Sequence, residues 1–370
     1  MTEHATEHVL TRVANGTGIL TLDRPKALNS LSLDMVRALT AALLAWRDDA
    51  DVAAVVITST SDKALCAGGD IRFFHQAGTA TPQAGSALLE DFFTEEYALN
   101  HLIHFYPKPY IALMEGVVMG GGMGIAQGGP ECGLRIVTER SKIAMPEVNI
   151  GLFPDVGGSH FLSHAPGRLG HYLGVTGATI GAADALYVGL ADVFVPSAQL
   201  AALRALIDST PGADLPGAIR AFAAPFADQA GASELAAHRD AIDRHFGADG
   251  VAATLASLEA DPGPFAQQTL ATLRQRSPLL MAVTREMLVR GEALGVADCL
   301  RMERALVRRT FEHGEVIEGV RALVIDKDNA PRWNPPLVAD VTPEMVAHFF
   351  EPVWPAHAHP LRDLHDPQGA

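Results

Sequence analysis

PKPYIALMEGVVMGGGMG, residues 107–124, is the stretch whose reading decides the fold. Tyr110-Ile111-Ala112-Leu113-Met114 is an unbroken apolar run, the pattern of a strand covered on both faces rather than one with a wet side. It leads directly to Gly120-Gly121-Gly122, and an apolar helical stretch follows. Glycine lets the backbone approach a ligand closely and adopt dihedrals closed to other residues. Where such a turn opens a helix, its free N–H groups face outward and favour an anion.

The pattern repeats upstream. Residues 53–57 (AAVVI) are a second buried strand, and ALCAGGDIR at 64–72 is a glycine-containing turn after it. Before these, residues 8–23 read as a hairpin around Asn15-Gly16, a strong turn signal. Arg24-Pro25-Lys26 breaks the pattern. Ser32 is an N-cap for a helix with Met35, Leu39, Leu43 and Trp46 at near-helical spacing. Strand, helix and strand in this order predict a parallel sheet with crossover helices.

Downstream, residues 76–88 are rich in Gly, Ala, Thr and Pro and read as a loop, with a helix over roughly 87–104. Residues 135–138 are a further strand, and MPEVNIGLFPDVGG at 145–158 is irregular, bounded by Pro and Gly. Helical patterns dominate after 159. One helix near 277 carries the stripe Leu279, Val283, Met287 and Leu288, with Ser277 as cap and Pro278 at the first helical position. The expected organisation is an α/β core over 1–200, a helical C-terminal region over 201–335 and an irregular, proline-bearing tail over 336–370.

The 370 residues are 48% apolar and 19% charged, ample for a large core. A formal net charge of −15 argues against non-specific binding to nucleic acid or an anionic membrane. Cys66, Cys132 and Cys299 have no CxxC spacing and cannot pair completely, which fits a reducing compartment. The opening MTEHATEHVLTRV lacks the pattern of a signal or transit peptide. No apolar stretch approaches the ~20 residues of a membrane span. A cytoplasmic protein is expected.

Several constellations carry chemistry. The turns Ala67-Gly68-Gly69-Asp70 and Gly120-Gly121-Gly122, if they face one another, make an oxyanion hole. Tight turns needed only for packing explain either one singly. Neither is a P-loop, since GxxxxGK[ST] is absent. The acids Glu147 and Asp155 share one otherwise apolar segment, where the ionised form is disfavoured and acid–base work near neutral pH becomes accessible. Surface loop acids would show the same spacing. Phe92-Phe93-Thr94-Glu95-Glu96-Tyr97 places two acids between aromatics on a helix, which alternating faces also explain. The run from Glu318-Gly319-Val320-Arg321-Ala322 to Ile325-Asp326-Lys327-Asp328 is a helix end with charges. No HExxH supports zinc, and no GxSxG elbow supports a serine hydrolase.

These residues resemble a family. ILTLDRPKALN (19–29), ALCAGGDIR (64–72), PKPYIALMEGVVMGGGMG (107–124) and MPEVNIGLFPDVGG (145–158) are similar, in order and spacing, to the four signature blocks of the crotonase, or enoyl-CoA hydratase/isomerase, superfamily. Hydratases carry a glutamate after the glycine run, where this chain has Gly124. Their other glutamate matches Glu147. Where many have glycine, this chain has Asp155. FEHGEVIEGVRALVIDKDNAPRWNP at 311–335 resembles the C-terminal signature of the 3-hydroxyisobutyryl-CoA hydrolase subfamily, and Glu96 matches a substrate-contacting acid of it. Three departures stand out: Ala67 where serine is frequent, His160 where tyrosine is common, and a slightly expanded stretch at 129–133.

The resemblance implies a crotonase-like spiral of ββα units with C-terminal helices. It implies hydrolysis of the thioester of a short branched hydroxyacyl-CoA, 3-hydroxyisobutyryl-CoA of valine degradation foremost. The substrate would be an acyl-CoA, with no separate cofactor and no metal. Backbone N–H groups of Ala67 and Gly121 would hold the thioester oxygen, with Gly68, Gly69, Asp70 and Gly120 around the substrate. Glu147 would attack the carbonyl or activate water, Asp155 would orient the reactants and handle a proton, and Glu96 would contact the acyl hydroxyl. The rivals are an enoyl-CoA hydratase, a dienoyl-CoA isomerase, which also uses Glu and Asp at these two positions, and a binding or scaffold protein that kept the fold without catalysis. The superfamily often forms trimers, and the C-terminal region bears on whether that interface is kept.

Overall fold

The computed structural model describes residues 4–6, 8–81 and 85–367. The chain divides into two compact units, each assembled from three separated segments. The first comprises Met1–Gly69, Ala98–Ile143 and Ile180–Glu234; the second comprises Asp70–Tyr97, Ala144–Thr179 and Leu235–Ala370.

The strands, in chain order, are β1 (His4–Thr6), β2 (Val9–Ala14), β3 (Thr17–Leu22), β4 (Ala54–Ser59), β5 (Ala64–Cys66), β6 (Tyr110–Met114), β7 (Val117–Met119), β8 (Gly133–Val137), β9 (Lys142–Ala144) and β10 (Val193–Phe194). Seven form one sheet in the order β1-β2-β3-β4-β6-β8-β10, and three form a second in the order β5-β7-β9. The hairpin β2–β3 turns through Asn15 (φ 47°) and Gly16 (φ 76°), the paired left-handed residues that match the strands' twist. From β3 onward the large sheet is parallel. Each of β4, β6 and β8 is followed by one strand of the small sheet and then a helical segment: Ile71–Ala80, Gly121–Ala126 and Glu147–Ile150. Both sheets therefore advance one place per repeat, which is the ββα succession the family resemblance implies.

All five residues of β6 are buried, as its uniform apolar run requires. Ile19, Val56, Ile111 and Ile136 of the sheet meet Leu203, Ile207 and Ile219 of the helices Leu200–Ser209 and Leu215–Ala223 in one apolar cluster. In the helix Leu33–Arg47, Ser32 Oγ accepts the Met35 N–H at 3.3 Å, and Met35, Leu39, Leu43 and Trp46 are buried. Gly18 of β3 makes room for the Trp46 ring, which a side chain there would strike at 2.5 Å.

The second unit is helical. In its helix Pro278–Gly291, Ser277 Oγ accepts the Leu280 N–H at 3.1 Å, Pro278 stands in the first turn, and Leu279, Val283, Met287 and Leu288 are buried.

Three expectations are corrected. Residues 76–80 belong to the helix Ile71–Ala80, which Asp70 caps by accepting the Phe73 N–H at 3.3 Å; residues 82–84 of that expected loop lie outside the described residues. The tail expected to be irregular carries the helix Pro343–Phe349 with buried Phe349. It is tied down by Arg301, which donates to the Leu364 carbonyl at 2.8 Å, and by Asp366, which accepts the Ala297 N–H at 2.9 Å. The division at residue 200 is not kept either, because the helices of 200–223 bury their apolar faces with the sheet of the first unit.

Candidate active site

The two glycine turns lie within the first unit and against each other. Buried Asn29 donates to Ser59 Oγ (2.7 Å) and to the carbonyls of Ala64 (3.1 Å) and Leu65 (3.0 Å), so RPKALN is the clamp that sets where β5 ends. The chain at 28–31 then runs beside 67–69, with the Ala67 N–H on the Leu28 carbonyl (3.0 Å) and the Leu31 N–H on the Gly68 carbonyl (2.8 Å). Gly68 (φ 104°) and Gly120 (φ 51°) take conformations that a side chain resists. A methyl group on Gly68 would sit 3.2 Å from the Met119 carbonyl oxygen and 3.6 Å from the Gly121 nitrogen, and one on Gly122 would overlap the Cys66 carbonyl at 2.2 Å.

This geometry corrects one assignment. The Ala67 N–H is spent on Leu28 and is not available to a ligand. Among the described residues, the Gly69 N–H, two places on, has no acceptor. The same holds for the Gly121 N–H, in the first turn of the helix Gly121–Ala126, where helix geometry leaves donors free. The donor pair that the turns offer is Gly69 and Gly121. Asp70, expected beside the substrate, is occupied as a helix cap.

The acids belong to the second unit. Glu147 opens the 3-10 turn Glu147–Ile150, Asp155 follows at the end of the same segment, and Glu96 stands on the helix Ala87–His104. All three are buried, at 7%, 5% and 2% exposure, which sets aside the surface-acid explanation. Glu147 Oε2 and Glu96 Oε1 are buried and find no hydrogen-bond partner among the described residues. Burial, reinforced by the charge of Asp155, holds both carboxyls well above the usual carboxylate range. Asp155 is pushed up by burial to about 6, against the pull of Tyr97, whose hydroxyl donates to Asp155 Oδ2 at 2.7 Å. Loss of hydration raises such groups because it penalises the charged form. The result is a set of carboxyls that keep their protons to higher pH than usual, with Asp155 near 6.

Two residues of this cluster escaped the sequence reading. Tyr97 is fully buried beside Glu96. Glu303, on the helix Val296–His313, is fully buried and pushed up by burial to about 8. A signal for Glu303 existed: it falls on the helix stripe of Val296, Leu300, Val307 and Thr310, a charge on the apolar face.

The C-terminal block supports the turn of Glu147. Gly319, in the helix Glu315–Val320, lies so close that a methyl group there would meet the Ile150 carbonyl oxygen at 2.2 Å. Arg321 ties the block together, pairing with Glu318, Asp326 and Asp328 at 2.7 Å each. Among the described residues no group of three or more His, Cys, Asp or Glu is placed to hold a metal ion, and no helix is long and apolar enough to cross a membrane.

Paired glycine turns on a ββα core are the arrangement that the family resemblance implies, and comparison with known proteins places the chain in that family. Residues 17–350 match the model of the enoyl-CoA hydratase/isomerase family, and the chain belongs to that family. Among curated relatives, a mitochondrial 3-hydroxyisobutyryl-CoA hydrolase of Rattus norvegicus is 37% identical over 95% of this chain and 91% of its own, and that of Xenopus tropicalis is 38% identical over the same shares. Among solved structures, a carnitinyl-CoA dehydratase from Mycobacterium thermoresistibile aligns with TM-score 0.87 and 38% identity over 95% of this chain and 98% of that one. An enoyl-CoA hydratase from Rhodobacter sphaeroides aligns with TM-score 0.84 and 41% identity over 94% and 98%.

Proposed function

We propose that this chain hydrolyses the thioester of a short branched hydroxyacyl-CoA, 3-hydroxyisobutyryl-CoA first, releasing the hydroxy acid and coenzyme A. The observation that carries the reading is the buried carboxyl pair: Glu147 with an unbonded Oε2, and Asp155 held by Tyr97. The curated relatives named as 3-hydroxyisobutyryl-CoA hydrolases, matching along nearly the whole chain, support it. The two solved relatives are named for hydration chemistry. Against that route stands Gly124, which has no side chain where hydratases resemble one another in carrying a second glutamate.

In the proposed reaction the Gly69 and Gly121 amides polarise the thioester carbonyl and stabilise the oxyanion as the carbon becomes tetrahedral. Glu147 enters the reaction after giving its proton to water. Its carboxylate then either attacks the carbonyl, giving a mixed anhydride that water opens, or takes a proton from an attacking water. In both routes the C–S bond breaks, coenzyme A leaves as a thiolate and takes up a proton, and Asp155 orients the reactants and exchanges that proton. Glu96, with its free buried oxygen, receives the acyl hydroxyl. The reaction as drawn uses no metal and no separate cofactor. A cytoplasmic setting and a trimer-based homo-oligomer complete the reading; three cysteines with no disulfide among the described residues support a reducing compartment, while the relatives above are named mitochondrial.

The test is release of free thiol from 3-hydroxyisobutyryl-CoA beside hydration of crotonyl-CoA. Thiol release as the main activity is expected. Hydration or double-bond migration as the main activity would overturn the reading. Hydroxylamine quenching separates the two routes, since only the anhydride leaves a hydroxamate on Glu147.

A further inference from the structure

Asp155 is followed by a turn that needs holding. Val156 (φ 54°) and Gly157 (φ 88°) are left-handed in succession. A β-branched residue rarely takes that conformation, and it persists where the surroundings over-determine it. The turn closes with the Gly158 N–H on the Asp155 carbonyl at 2.7 Å, and one carboxyl group supplies the side-chain bonds to its backbone. Glu303 Oε2 accepts the Gly157 N–H at 2.8 Å, and Glu303 Oε1 accepts both the Ser159 N–H at 2.9 Å and the Ser159 hydroxyl at 2.6 Å. Glu303 is fully buried, so no water competes for these bonds.

The helix that presents Glu303 is itself anchored next door. Fully buried Arg304 donates to Thr94 Oγ1 at 3.0 Å and pairs with Glu90, both on the helix that carries Glu96 and Tyr97. Asp155 is thus fixed twice. Tyr97 holds its carboxyl, and Glu303 holds the backbone that follows it.

We propose that Glu303 is a positioning residue for the hydrolysis: its carboxyl group locks the turn 155–159 and thereby sets where the Asp155 carboxyl stands. This rests on the thioesterase reading. A mere helix cap would act on stability and leave the turnover of each folded molecule alone. A positioning residue acts through Asp155.

The experiment measures kcat and KM for coenzyme A release from 3-hydroxyisobutyryl-CoA in wild type, Glu303→Gln, Asp155→Asn and the double variant. Glutamine fills the same space but turns a donor toward one of the backbone donors. Displacements near 1 Å cost on the order of 10²-fold in well-oriented reactions, so Glu303→Gln should lower kcat by roughly 10–100-fold with little change in KM and an unchanged circular dichroism spectrum. In the Asp155→Asn background it should cost nothing further. A folded Glu303→Gln with wild-type kcat overturns the inference, and so does a double variant that falls by the same factor as the single one. If Glu303→Gln does not fold, Ser159→Ala carries the test: it removes only the hydroxyl bond and should lower kcat about two- to five-fold at constant KM, and an unchanged kcat overturns the proposal. A wild type that releases no coenzyme A overturns the thioesterase reading and this inference with it, whereas an active wild type beside an equally active variant overturns this inference alone.

Discussion

Two regions of this molecule differ in the chemical groups that they offer. The glycine turns of the first unit offer backbone amides, which do not titrate. The carboxyl cluster of the second offers side chains, all buried and all displaced from their ordinary protonation range. The amide donors come from two short stretches, each readable in a few consecutive letters. The carboxyls come from residues 96, 147, 155 and 303, and only the fold collects them. A dipole fixed in the backbone is indifferent to pH, and the turn that carries it is written in consecutive letters. A tuned acid needs an environment, and the environment is drawn from most of the chain.

The comparison can be broken from either side. The largest effect is expected for Glu147→Gln, which keeps the shape and removes the group able to attack or accept a proton. Single-turnover hydrolysis should fall by at least about 10²–10⁴-fold while affinity for the thioester changes little. Near-normal turnover would reduce Glu147 to a buried structural acid. Gly121→Val tests the amide side and should lower the rate by about 10²–10³-fold, the scale of one lost oxyanion donor. Its circular dichroism should match wild type, and the midpoints of its pH–rate profile should not move.

Tyr97→Phe sharpens the contrast. The Tyr97 hydroxyl favours the ionised form of Asp155, so its loss raises an acid already near 6. The limb of the pH–rate profile set by Asp155 should shift to higher pH, with a few-fold loss at pH 6 that shrinks toward pH 8. A profile that drops uniformly would mean that Tyr97 only packs. Smallest of all, incubation with a chelator should leave thiol release unchanged. Loss of activity restored by one divalent ion would replace the amides with a Lewis acid.

Much of the fold was legible because its signals are local. The Asn15-Gly16 hairpin, the Ser32 and Ser277 caps and the uniform apolar strand at 110–114 each declare themselves within one element. The helix at 76–80 is obscured in the sequence by Gly78, Thr79 and the Pro82 beyond, although Ala77 and Ala80 favour a helix and Asp70 stands ready as its cap. At the site, Glu147 and Asp155 were legible from their segment, but Glu96 only through family resemblance. The glycine turn at 67–69 was found and the wrong amide chosen from it. Which N–H faces outward depends on Leu28 and Leu31, some forty residues upstream, and no spacing within the turn encodes that. Glu303 lay unread because its partners at 157 and 159 are 146 and 144 residues away.

That separation also bears on how the protein comes into being. A ribosome has already joined residues 96, 147 and 155 when it reaches residue 303, and the segment that pins the helix of Glu303 through Asp366 comes later still. Pairings so distant in sequence form late and slowly. A nascent chain made as far as residue 300 already owns Glu96, Glu147 and Asp155, yet lacks the carboxyl that accepts the Gly157 N–H. A product truncated before residue 303 would carry those three acids without the Glu303 bonds to Gly157 and Ser159.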